Sequence, residues 1–239
     1  MTDRPRTVAL IVAAGSGSRA GGAVPKQYAM VAGKPLIAHA YAAFAGHSAV
    51  DEVVVVIAAG AEHFAAAALG SARTVTGGPS RRESVALGLA AIVADRVLVH
   101  DAARPCVTDR LITRAIQSAR RHRAVACGLP AALTIKAVDD RQRVRLTLDR
   151  EQLWCMQTPQ VFSRSWFAQA LARLDGRPLE PCPDDATVLE AAGFPVQVVP
   201  GDPLNIKVTT REDLMLAEAI LKSRGQGSGD RSQWTGGRT

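Results

Sequence analysis

Two cations, Arg19 and Lys26, follow a glycine-rich turn, Gly15-Ser16-Gly17-Ser18, which itself leaves an apolar run from Val8 to Ala14. This order of residue types suits a polyphosphate. Glycines carry no Cβ, so backbone N–H groups can close on anionic oxygens, and the two cations add fixed charge. Three more segments carry chemistry. Gly77-Gly78-Pro79 turns into a helix start at Ser80, with Ser84 one turn further on, and could form a rim that grips a base. Asp101 stands just past an apolar run, followed by Ala102 and Arg104. A carboxylate at the carboxyl edge of an open sheet, beside a polyphosphate loop, is placed to hold Mg²⁺. Lys207 precedes the last helix, at the wrong end for the helix dipole unless an anion lies nearby.

Plainer readings stand beside these. Glycine turns after a first strand often serve only close strand-to-helix packing, and a glycine pair can simply begin a helix. Asp101 alone could cap a loop, and Asp149-Arg150 with Gln157-Thr158 reads as a linker. Asp184-Asp185 is assigned to the start of a helix at 186 rather than to a metal. The segment from Gly15 to Ala20 also fits G-x-G-x-x-A, a weak dinucleotide signal. A nicotinamide site wants an acid at the end of the second strand. Here Asp51 and Glu52 precede the apolar run 53–57, and Ala58-Ala59-Gly60 follow it. The Walker pattern is absent. Seven apolar residues running into Gly, Ser and Arg are too few and too wet for a signal peptide.

These residues need a scaffold, and the chain alternates strand-like and helix-like segments over its first 130 residues. Strands are expected at 7–13, 52–58, 96–100 and 124–129. Helices are expected at 35–45 behind Pro35, at 84–93 behind the capping box Ser80 to Glu83, and at 108–122. Such alternation implies an α/β fold with a mostly parallel sheet and helices on both faces. The alternation breaks at 133–160. Residues 133–138 and 143–148 flank the turn Asp139-Asp140-Arg141-Gln142 and read as a β-hairpin. An isolated hairpin cannot bury its apolar face alone, so this one is expected to pair with a second copy as a dimer arm. Helices at 163–174 and 184–192, a strand at 196–200 and a helix from Thr209 capped by Glu212 complete the reading.

Composition excludes several classes. At 239 residues, nearly half apolar, the chain can build a sizeable core, and no apolar run approaches a membrane span. Cys106, Cys127, Cys155 and Cys182 lie far apart with no C-x-x-C pair, which favours reduced thiols and a cytoplasmic protein. The net charge of +7 invites a nucleic-acid partner. However, Lys222, Arg224, Arg231 and Arg238 against Asp230 put +3 of it in a Gly/Ser/Arg-rich end, where Trp234 is the only aromatic. Residues 223–239 are expected to be disordered, and no nucleic acid is expected as a partner.

In this order, AAGSGSR with PKQY, GGPSRRESV, HDAARP, TIK, LDR with QTPQVF, DDATVLEAAG and NIKVT resemble the 2-C-methyl-D-erythritol 4-phosphate cytidylyltransferases of the non-mevalonate isoprenoid pathway. The first loop with PK alone also occurs in sugar-nucleotide and molybdopterin nucleotidyltransferases, which should lack the arm and the NIKVT lysine. The resemblance covers about residues 7–222. It implies a Rossmann-like nucleotide-diphospho-sugar-transferase domain over 1–222, with the arm at 133–160. It also implies a homodimer, the substrates CTP and methylerythritol phosphate, and Mg²⁺ or another divalent cation held by Asp101 or by the phosphates alone.

Position by position, Arg19 and Lys26 match the family's triphosphate pair. Ala13, Ala14, Gly15, Gly17, Gly77, Gly78, Ser84, Asp101 and Ala102 match the nucleotide site. Asp101, Arg104, Thr134, Arg150, Thr158 and Lys207 match the acceptor site, with Thr134 and Arg150 reaching across the dimer. The catalytic set is then Arg19, Lys26, Arg150 and Lys207. One departure is Leu133, where the family carries Asp. The chemistry needs no covalent nucleophile or strong base. It needs two repelling anions aligned and the developing charge neutralised.

Overall fold

A computed structural model describes residues 4–15, 24–174 and 182–226. Its centre is a seven-stranded sheet in the spatial order β11 (Gln197–Pro200), β7 (Ala124–Pro130), β10 (Trp154–Ser163), β6 (Arg96–Asp101), β1 (Thr7–Ala13), β4 (Glu52–Ile57) and β5 (Arg73–Thr76). All neighbours are parallel except β10, which runs antiparallel to both β6 and β7. β1 shows why its sequence is a continuous apolar run. Ala9, Ile11 and Ala13 face one core with α1 (Leu36–Ala45) and α4 (Asp109–Ser118), while Val8 and Leu10 face another with α3 (Arg81–Ala90), α5 (Arg164–Arg173) and α6 (Ala186–Ala191). Both faces of the strand are buried, so neither position parity can be polar.

The chain leaves β1 toward β4 and later returns to its other side at β6. The crevice therefore opens at the carboxyl end of β1, where strand order reverses and ligands of open α/β sheets bind. A small ribbon of β2 (Met30–Val31) and β3 (Lys34–Pro35) and the final helix α7 (Arg211–Gln226) cover that edge. They share a core of Val31, Leu36, Cys106, Val208, Ala217 and Ile220.

Several expected boundaries shift. The expected arm at 133–160 includes most of β10, whose Gln157, Thr158 and Gln160 are buried and whose Pro159 argues against a central strand. A register shift between Gln157 and Gln160 absorbs that proline. The arm proper is the separate ribbon of β8 (Lys136–Val138) and β9 (Val144–Thr147). α2 (Glu62–Leu69) and β5 were not expected, because the alanine-rich helix buries only Ala65 and the edge strand buries nothing. α7 begins two residues past Thr209, so its reciprocal cap uses Asp213 rather than Glu212. That carboxylate accepts from the N–H groups of Thr209 and Thr210, and the Asp213 N–H donates to Thr210 Oγ1. The helix also outlasts the expected end of the fold, and Arg224 donates to the Cys106 carbonyl at 2.7 Å. The rest of the expected tail, 227–239, lies outside the described residues.

Candidate active site

A cleft of about 520 Å³ occupies the crevice beyond β1, walled by Ala13, Ala14 and Gly15 on one side and by Gly78 to Arg81 and Ser84 on another. The second wall is held by its helix start. Ser80 Oγ accepts from the Glu83 N–H, and the Glu83 carboxylate accepts from the Ser80 N–H, so the expected capping box is present. Close approach explains both glycines before it. A Cβ on Gly77 would meet the Ala14 Cβ at 2.6 Å, and one on Gly78 would meet the Glu83 Cβ at 2.7 Å. Gly77 therefore serves packing between the two walls, and Gly78 faces the cleft.

Asp101 ends β6 at the floor, and among the described residues it is the only carboxylate that lines the cleft. Lys207 Nζ pairs with its Oδ2 at 2.7 Å and Arg81 Nη2 with its Oδ1 at 3.1 Å. Burial alone would raise its pKa, but Arg81, Lys207 and Arg104 outweigh burial and hold the carboxyl well below the usual range. Arg81 also pairs with the buried Asp185 at 2.7 Å. Lys26 Nζ donates to the Val208 carbonyl at 2.6 Å, which ties the first loop to the segment carrying Lys207.

Behind the floor, a hydrogen-bonded layer fixes both groups. His100 Nε2 lies 3.1 Å from the Arg104 carbonyl, which can only accept, so that nitrogen carries the proton. The Thr158 hydroxyl then donates to Nδ1 at 3.0 Å and accepts from the Asp101 N–H at 3.1 Å. Burial pushes the His100 pKa down to about 4, so the ring stays neutral. Gln157 exchanges two hydrogen bonds with the backbone of Asp202, and Asn205 Nδ2 donates to the Thr158 carbonyl. The loop 202–207 is thereby locked to β10, with Lys207 at its end. Burial pushes the Cys106 and Cys127 thiols up to about 11 and about 12, so neither is a nucleophile at neutral pH.

Of the expected residues, Ala13, Ala14, Gly15, Lys26, Gly78, Ser84, Asp101, Ala102 and Lys207 meet in the cleft. Arg104 and Thr158 were expected to touch the acceptor. Both are buried behind the floor, with the Arg104 guanidinium donating to the carbonyls of Asn205 and Met156. Thr134 and Arg150 lie exposed on the arm, away from the cleft of their own chain, and Arg150 donates to the Ala132 carbonyl. Gly17 and Arg19 lie outside the described residues. Asp184, not Asp185, takes the capping role at α6, accepting from the Thr187 N–H and hydroxyl. Sequence reading missed Arg81, masked by the capping box it sits in, and Gln27, whose amide donates to the Ala13 carbonyl.

Residues 7–223 match the model of the family described as IspD, 2-C-methyl-D-erythritol 4-phosphate cytidylyltransferase. The chain is 38% identical over 238 residues to the enzyme of that name from Alkaliphilus metalliredigens, covering 96% of this chain and 98% of that one. It is 42% identical to the one from Ralstonia nicotianae, with 92% and 94% covered. Among solved structures, 4-diphosphocytidyl-2C-methyl-D-erythritol synthase from Anaerococcus prevotii superposes with a TM-score of 0.80 at 28% identity, covering 92% of this chain and all of the other. The Thermus thermophilus cytidylyltransferase gives 0.76 at 33%, with 92% and 99% covered.

Proposed function

The chain belongs to the 2-C-methyl-D-erythritol 4-phosphate cytidylyltransferase family and transfers the cytidylyl group of CTP to methylerythritol phosphate in isoprenoid biosynthesis, and we propose that it does so by electrostatic alignment within the cleft beyond β1. An acceptor phosphate oxygen attacks the α-phosphorus in line. The new P–O bond forms as the bond to the β-phosphate breaks, and pyrophosphate leaves with the electron pair. The nucleophile is already an anion, so the protein's work is to bring two anions together and neutralise the charge that develops. The convergence of Lys26, Lys207 and Asp101 at one sheet edge is the observation that carries this reading.

In this reading Lys26, with Arg19, holds the triphosphate, and Lys207 moves between Asp101 and the phosphates. Asp101, the one carboxylate of the cleft among the described residues, would hold Mg²⁺ together with the nucleotide's own phosphates. One carboxylate with phosphates is a usual magnesium environment, whereas no group of three metal-ligating side chains occurs among the described residues. The ion would supply further neutralisation of phosphate charge.

The arm completes the acceptor end from a second copy of the chain. Leu133, Val138, Val144 and Leu146 are all more than half exposed on it, an apolar face that two arms could cover together. Arg150 would then reach the partner's cleft and hold the acceptor phosphate bidentately. The free thiols suit a cytoplasmic enzyme.

The packed glycine wall favours a small base. Pyrophosphate release should therefore be at least roughly tenfold faster with CTP and methylerythritol phosphate than with ATP or GTP, or with a sugar 1-phosphate as acceptor. Equal turnover with a purine nucleotide would refute the assignment of the Gly78 wall to the base.

A further inference from the structure

Arg81 is given no part in the transfer described above, yet it lines the cleft and pairs with two carboxylates. It opens α3, and its Nη2 donates to carboxylates of two distant elements, Asp101 Oδ1 at 3.1 Å and Asp185 Oδ2 at 2.7 Å. Asp185 is 1% exposed and makes no side-chain cap at α6, so helix capping does not account for it. Its position is fixed through the backbone, where Gln160 Oε1 accepts from the N–H groups of Asp185 and Ala186. A buried carboxylate is costly unless paired, and Arg81 is its ion-pair partner among the described residues. Lys207 reaches the other oxygen of Asp101 on a flexible stem whose side chain is 43% exposed, against 23% for Arg81. One cation on Asp101 is anchored from behind, and the other is the more exposed of the two.

We infer that Arg81 is a positioning residue for cytidylyl transfer. Held by the buried Asp185, it fixes the plane of the Asp101 carboxylate so that Oδ2 faces the cleft, while Lys207 can follow the phosphates. A flexible ammonium in its place would give charge without that orientation. The inference rests on the role of Asp101 proposed above.

The test must separate positioning from folding. Arg81→Gln alone strands the Asp185 charge and should lower the melting temperature. The double variant Arg81→Gln/Asp185→Asn removes both charges and should recover much of that loss. Its kcat should nonetheless stay roughly 10–100-fold below wild type, with KM for CTP changed less than about threefold. Asp185→Asn by itself keeps the charge of Arg81 and its bond to Asp101, and should lose roughly 3–10-fold in kcat. Arg81→Lys should rescue kcat only in part. A double variant, or Asp185→Asn, with kcat within twofold of wild type would overturn the inference. Asp101→Asn, measured alongside, reports on the underlying reading by itself. Full activity there would sink the role of Asp101, whereas an inactive Asp101→Asn beside an active double variant would sink only the role of Arg81.

Discussion

The cleft and the arm are built by opposite means. In the cleft, charge is the material, and each cation described there has a partner within its own chain. Asp101 is shared by Lys207 and Arg81, Asp185 anchors Arg81, and Lys26 rests on the Val208 carbonyl. In the arm, two short strands meet each other and present leucine and valine to solvent, with the Arg150 side chain donating to the nearby Ala132 carbonyl. One region is pre-organised by a single chain, as electrostatic catalysis requires. The other has a surface that makes sense once a second copy covers it. The nucleotide end of the site should therefore be a property of the chain, and the acceptor end a property of the pair.

The comparison can be broken first at the cleft. Lys26→Ala or Lys207→Ala should lower kcat/KM by roughly 10²–10³-fold, the scale for losing one preorganised donor. The fold should survive, because neither side chain belongs to a hydrophobic core. Steady-state kinetics with matched melting curves would check both halves of that statement. A smaller effect on turnover is expected at the arm, where the change falls on assembly. Leu146→Asp puts an unpaired charge on the proposed contact, a cost of about 3–5 kcal/mol when buried. The dimer dissociation constant should rise by roughly 10²–10⁴-fold in sedimentation. Activity should fall with dilution while the monomer stays folded. A Leu146→Asp protein that remains a fully active dimer would remove the arm from the account.

The smallest effect sharpens the cleft's own foundation. His100 is neutral and buried, with its pKa pushed down to about 4, below its ordinary value near 6.5. The unfolded chain then binds the extra proton first as pH falls. Stability contributed by the neutral ring is full above about pH 6.5 and is lost progressively down to about pH 4, by up to about 3 kcal/mol. Urea unfolding of wild type and His100→Asn across that range should show the steeper loss in wild type. Parallel curves would mean that the ring is not held neutral.

How far the sequence carried this picture depends on what each signal was made of. β1, β4, β6 and β7 were legible because a strand buried on both faces must be a continuous apolar run. The two glycine-rich turns and the capping box were legible because local geometry demands those residues. β10 was not, since its buried Gln157, Thr158 and Gln160 are satisfied by partners far along the chain, and polar residues beside a proline read as a loop. The same blindness to distant partners hid Arg81, whose significance lies in acids 20 and 104 residues away. Nor could it show that Arg104 and Thr158, expected at the acceptor, also hydrogen-bond to the backbone of distant segments behind the floor.

Subunit mixing tests the division between chain and pair most directly. Lys26→Ala spoils the cleft of the chain that carries it, and Arg150→Ala should spoil the cleft of the partner. Each variant alone then has two defective sites. After mixing equal amounts and letting subunits exchange, half the dimers should be mixed, each with one doubly defective site and one intact site. Activity should return to about a quarter of wild type. If exchange is demonstrated by a label and no activity returns, Arg150 does not complete the partner's site, and the proposed role of the arm is wrong.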